Sequence, residues 1–218
     1  MESDVKYVDN QPAKTITPLI QPNEHVFVAG RTGSGKTYLT KKFLAHYPNV
    51  VVLDTKGTLN WNEVIPEEKT IVTSLAKISE AKTNKIIYKP RWQEMTFEVY
   101  NRFFKWVYER KNTIVWVDEV MSVCPNPFKI PDYYKAILTR GRELNVAAWS
   151  LTQRPSGIPQ IVISEATHLI IFDLNLEQDR QKIVEITGYN QFLTRPGKFH
   201  FWYADIRQEK PPRRGIMK

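Results

Sequence analysis

Residues 24–47, EHVFVAGRTGSGKTYLTKKFLAHY, contain an unbroken G-x-x-x-x-G-K-[ST] pattern from Gly30 to Thr37. The apolar run from His25 to Ala29 reads as a short buried strand, the glycines allow a tight turn, and a helix opens at Lys36. Strand, loop and helix in that order make a phosphate-binding loop. Backbone N–H groups turned inward and the positive end of a helix dipole hold polyphosphate without ordering side chains. Gly30, Arg31, Thr32, Gly33, Ser34, Gly35, Lys36, Thr37 and Tyr38 are therefore the candidate nucleotide-binding residues. Lys36 is placed to reach the β- and γ-phosphates and the Thr37 hydroxyl to bind Mg²⁺. Chance supplies the pattern in roughly one chain in a hundred of this length, and the strand-loop-helix setting makes it rarer.

At 218 residues the chain suits one domain of ordinary size, and 42% hydrophobic with 25% charged residues is a globular composition. No apolar run has the length of a membrane span, and the opening MESDVKYVDN lacks the basic and apolar regions of a signal peptide, so an intracellular soluble protein is expected. The single cysteine, Cys124, has apolar neighbours and reads as a small core residue. A net charge of +8 favours a polyanionic partner beyond the nucleotide, although a solvated basic surface would give the same number.

Residues 1–22, polar and with Pro12, Pro18 and Pro22, read as an extended arm ahead of the domain at 23–206. After the loop, Asn49 to Asp54 (NVVVLD) is a second strand, apolar on both faces, as in the middle of a helix-covered sheet. It ends in Asp54-Thr55-Lys56-Gly57, a D-x-x-G match that invites a GTPase reading, but no [NT]-K-x-D motif follows. The stretch Glu63 to Ala76 reads as mixed turn and strand, Lys77 to Lys82 as a short helix, and Lys85 to Tyr88 as a strand beside a basic cluster. Met95 to Arg110 has a helical stripe of Phe97, Tyr100, Phe104 and Val107, widened by Phe103 and Trp106, and is expected to pack on the sheet.

Thr113 to Glu119 (TIVWVDE) sets two carboxylates at the end of a buried strand. In a protein with a phosphate loop, Asp118 at that end is placed to hold Mg²⁺, and Glu119 to act as general base toward water. A helix from Asp132 to Glu143 and a strand from Val146 to Leu151 follow, ending at Thr152-Gln153-Arg154-Pro155. Gln153 is the candidate sensor of the γ-phosphate. Arg140 and Arg142, one strand earlier, cannot easily reach their own nucleotide and are candidate arginine fingers toward a neighbouring copy. Strands at Leu169 to Asp173 and Lys198 to Ala204 flank a helix from Gln178 to Thr187, and residues 207–218 read as a basic tail.

In order and spacing, GRTGSGKT, VVVLDTKG, TIVWVDE and TRGRELNVAAWSLTQRP resemble the FtsK/HerA superfamily of DNA-translocating ATPases over roughly residues 24–205, most like the genome-packaging ATPases of membrane-containing icosahedral viruses. The resemblance implies an α/β, RecA-like fold: a mostly parallel sheet with helices on both faces. It also implies ATP and Mg²⁺ as ligands, a homo-oligomeric ring such as a hexamer, double-stranded DNA as the load, and capsid or membrane vertex proteins as partners. A cytoplasmic or virion-associated location follows. The departure is Thr55, where many members carry proline in D-P-K-G. A small-molecule kinase, an ATP-binding assembly factor and a strand-separating helicase are the competing readings.

Overall fold

A computed structural model describes residues 19–59 and 69–216. The chain runs β1 (Val26–Ala29), α1 (Lys36–Leu44), β2 (Val50–Leu53), β3 (Thr70–Val72), β4 (Lys85–Tyr88), α2 (Phe97–Arg110) and β5 (Thr113–Val117). It continues α3 (Val120–Val123), α4 (Asp132–Arg140), β6 (Val146–Thr152), α5 (Ile161–Ser164), β7 (His168–Phe172), α6 (Glu177–Thr187), β8 (His200–Asp205) and β9 (Arg213–Ile216). The strands make one sheet in the order β3-β4-β2-β5-β6-β1-β7-β8-β9. All pairings are parallel except those of β8 with β7 and with β9.

Register decides where chemistry is possible. Leu53 lies opposite Val117, Val117 opposite Ser150, and Ala29 opposite both Thr152 and Ile171. The residues that follow β1, β2, β5, β6 and β7 therefore leave the sheet along one edge, the crevice where open α/β sheets bind ligands.

The two faces are covered unequally. Phe27, Val51, Val115 and Val117 point toward α2, α4, α5 and α6, whereas Val28, Val52, Trp116 and Trp149 point toward α1. The aromatic stripe of α2 is core, as its spacing predicts: Phe104 stacks on Tyr134 at 4.5 Å, Phe103 on Tyr88 at 5.3 Å, and the Tyr134 hydroxyl meets Ser150 Oγ at 2.6 Å. Cys124 is fully buried, and burial pushes its thiol up to about 12, so it packs and does not react.

Three expectations need correction. The helix expected to Glu143 stops at Arg140 and tightens into a 3₁₀ turn, Gly141–Leu144. A Cβ at Gly141 would sit 2.4 Å from the Val146 carbonyl oxygen, so the glycine lets this turn close onto β6. The basic stretch read as a tail instead contributes β9, which pairs with β8 from Arg213↔Tyr203 to Ile216↔His200. The segment expected to be a short helix at 77–82 is a 3₁₀ turn, Leu75–Glu80. The arm at residues 1–18 and the stretch 60–68 lie outside the described residues.

Candidate nucleotide-binding site

The phosphate loop is pinned to both neighbouring strands. Gly30 N–H donates to the Thr152 carbonyl and Arg31 N–H to that of Asp173, at 3.2 and 2.8 Å. Gly30 is required by close approach, since a Cβ there would meet Phe172 Cβ at 2.6 Å and Ser34 Oγ at 2.7 Å. No side chain caps the start of α1 and no acidic residue stands in its first turn, which leaves its N–H groups to an anion.

Lys36 is buried, and its ammonium donates to the carbonyls of Gly30 and Arg31. Burial pushes it down to about 8, with Glu119 and Asp118 acting the other way. Such a lysine is a cation held ready for a phosphate. Asp118 is pushed up to about 6, first by burial and also by the nearby charges of Asp54 and Glu119, while Lys56 and Lys36 oppose the shift. Glu119 is buried, with Oε1 lacking a hydrogen-bond partner and Oε2 3.4 Å from Lys56 Nζ.

These residues fit Mg²⁺. Among the described residues no group of three or more His, Cys, Asp and Glu side chains forms a cage. A magnesium ion needs none, because one or two protein oxygens suffice alongside phosphates and water. Thr37, in the first turn of α1, and Asp118, whose burial a cation would offset, are the residues that would hold it.

Gln153 stands directly after β6, and its Oε1 accepts from Thr32 Oγ1 at 2.6 Å, so the sensor candidate touches the loop. A cleft of about 360 Å³ opens beside this pair, lined by Arg31, Arg154, Asn175 and Leu176 among others. Arg154, next in the T-Q-R-P run, is occupied with Asp179 at 3.1 Å. A larger recess of about 440 Å³ lies at the opposite edge, among Tyr47, Asn49, Asn112 and Asn145. No carboxylate, histidine or lysine lines it, whereas the smaller cleft borders the phosphate loop and includes Asp179.

Arg140 and Arg142 are both exposed and stand at that opposite edge, ahead of β6. They lie away from their own phosphate loop, as the sequence reading requires. Arg142 donates to Thr167 Oγ1 at 3.2 Å, whereas Arg140 has no ion-pair or hydrogen-bond partner among the described residues.

Sequence reasoning missed Lys56 and Asp173. Lys56 was visible only as part of the D-T-K-G match. Asp173 closes β7 and, against its burial, is held below the usual carboxylate range by bidentate Arg195 and by Arg31 at 3.1 Å, so it braces the loop from below. An acid at a strand end was its signal.

No family model and no curated protein matches the chain. Solved structures do. The genome packaging NTPase B204 from Sulfolobus turreted icosahedral virus 2, in complex with ATP-gammaS, has a TM-score of 0.74 at 17% identity, over 91% of this chain and 100% of that one. The DNA-packaging ATPase B204 from Sulfolobus turreted icosahedral virus gives 0.73 at 16% identity, over 91% and 100%. The pCW3 conjugation coupling protein TcpA, with ATPgS, gives 0.56 at 13% identity, over 88% of this chain and 59% of that one. The chain thus has the fold of these packaging NTPases and of the coupling protein, the mostly parallel α/β fold that its resemblance to the FtsK/HerA superfamily implies.

Proposed function

We propose that the chain is an ATP-hydrolysing motor that moves double-stranded DNA, packaging a viral genome into a preformed capsid. The observation that carries this reading is the division of the site between two edges. Lys36, Asp118, Glu119 and Gln153 converge where β1, β5 and β6 end, while Arg140, whose side chain has no partner among the described residues, stands where β6 begins. One copy holds nearly everything hydrolysis needs except a free arginine over the γ-phosphate. A head-to-tail ring, as in a hexamer, brings that arginine from an adjacent copy.

With ATP bound, the N–H groups of residues 31–37 cradle the phosphates and the Lys36 ammonium leaves the Gly30 and Arg31 carbonyls for the β- and γ-oxygens. Thr37 and Asp118 would hold Mg²⁺, which would supply neutralisation of the phosphate charge. Glu119 takes a proton from water as its oxygen bonds to the γ-phosphorus, and the bond from the γ-phosphorus to the bridging oxygen breaks, leaving the electron pair on ADP. The Gln153 amide orients the water, and Arg140 of the adjacent copy meets the charge that develops. The load is gripped through its phosphates, so binding is independent of base sequence and falls with added salt. The neighbours' roles in genome and DNA packaging support this reading, as does the net charge of +8. It places the protein in the host cytoplasm or on the virion, with capsid or vertex proteins as partners.

The test is Glu119→Gln under assembly conditions with duplex DNA. ATP binding is retained and kcat falls about 10²- to 10³-fold. Full-rate hydrolysis by this variant, or a wild-type rate that duplex DNA does not raise, overturns the motor.

A further inference from the structure

Lys56 belongs to no assigned part of the site, yet it stands inside it. The turn Asp54-Thr55-Lys56-Gly57 follows β2, and β2 lies beside β5 with Leu53 opposite Val117, so this turn and the Asp118-Glu119 pair leave the sheet side by side. The Lys56 ammonium is 3.4 Å from Glu119 Oε2 and close enough to influence Lys36 and Asp118 electrostatically.

As a stabilising ion pair this contact makes little sense. The Lys56 side chain is 42% exposed and that of Glu119 11%. A pair with one wet member adds little to stability, and burying a carboxylate with one oxygen unsatisfied costs free energy. The carboxylate is nonetheless held by Oε2 alone, and Oε1, buried and without a hydrogen-bond partner, is left over. Unsatisfied buried acceptors in a phosphate-binding edge are what a reactant is expected to satisfy.

We propose that Lys56 is the positioning residue of the hydrolytic glutamate. It fixes Oε2, so that Oε1 receives the proton of the attacking water, and it keeps a positive charge against the carboxylate when a polyphosphate arrives. The inference rests on the reading of Glu119 as general base. A lysine at this place acts as a compact charge on a flexible stem, and an arginine of similar reach keeps that charge.

The experiment uses the full chain, with ATP turnover measured in the presence of duplex DNA and ATP affinity measured separately. In Lys56→Met, kcat falls about 10²-fold, the cost of misplacing a reacting group, while affinity for ATP and melting temperature stay close to wild type. Lys56→Arg recovers most of the loss, and ethylammonium added to Lys56→Ala restores turnover in a saturable manner. The double variant Lys56→Met/Glu119→Gln is no slower than Glu119→Gln alone, because both act through one carboxylate. An unchanged kcat in Lys56→Met beside an inactive Glu119→Gln overturns the positioning role and leaves the base reading intact. Faster turnover without DNA also overturns it, since Lys56 would then be restraining the glutamate. Full activity in Glu119→Gln removes the base itself and is seen in a different variant.

Discussion

Where β1 and β7 begin, Glu24 accepts from the Gln21 N–H, pairs with His168 at 2.8 Å and meets Arg207, while His168 passes the chain on to the Tyr203 hydroxyl at 2.9 Å. At the opposite edge, past the ends of β1, β2 and β5, Ser34, Asp54, Thr55 and Glu119 each keep a buried oxygen without a partner among the described residues. Both edges bury charge; only one satisfies it. A fully bonded network holds the strands, including the antiparallel β8, in fixed relation, and under the proposed function phosphate, cation and water would satisfy the orphaned atoms opposite. The proposed function thereby sets stability and chemistry at opposite ends of one sheet.

The largest expected effect concerns the exception on the satisfied edge, Arg140, whose side chain has no partner among the described residues. Arg140→Ala is expected to lower kcat 10³-fold or more without loss of ATP binding or stability, and to poison wild-type copies when mixed with them. A wild-type rate in the variant would make that edge purely structural. Next, Glu24→Ala leaves His168 and Arg207 without their shared carboxylate and should cost about 3–5 kcal/mol in denaturant unfolding, with ATP affinity of the folded fraction unchanged. A shift in ATP affinity would show that the two edges are not separable.

The smallest effect is a pH dependence. His25 is buried beside the start of β6, its Nδ1 accepting from the Ala148 N–H at 2.9 Å. Burial, then the charge of Arg142, lowers it from 6.5 to about 4, so the folded state keeps it neutral. Its contribution is present above pH 6.5 and is lost as pH falls toward 4, about 3 kcal/mol in all. Unfolding free energy measured from pH 7 to 4 should show this slope, and His25→Gln should flatten it.

Much of this was legible because phosphate binding is written locally. Gly30 to Thr37 carries turn, dipole and lysine in eight consecutive residues, and Asp118-Glu119 closes an apolar run that can only be a buried strand. Gln153 was legible for the same reason, as the residue after β6. Lys56 was not, because its meeting with Glu119 depends on β2 lying beside β5, and strand order leaves no mark on local pattern. Arg213 to Ile216 was hidden by its charge: RRGI lacks apolar alternation, and it pairs because β8 offers a free edge, with Arg213 over the Tyr203 ring at 5.7 Å. The end of α4 was missed because Gly141 serves a contact with β6 that helical periodicity does not encode.

That last strand has a consequence for the molecule in a crowded setting. Among the described residues this sheet has two rims with no further strand beside them, and natural proteins discourage pairing at such rims with short strands and positive charge. Here one rim is the three-residue β3 and the other carries two adjacent arginines, one of them tied to the Pro196 carbonyl at 2.9 Å. Part of the basic character that composition assigns to a polyanion is therefore a guard against self-adhesion, and neutralising Arg213 and Arg214 should appear first as precipitation.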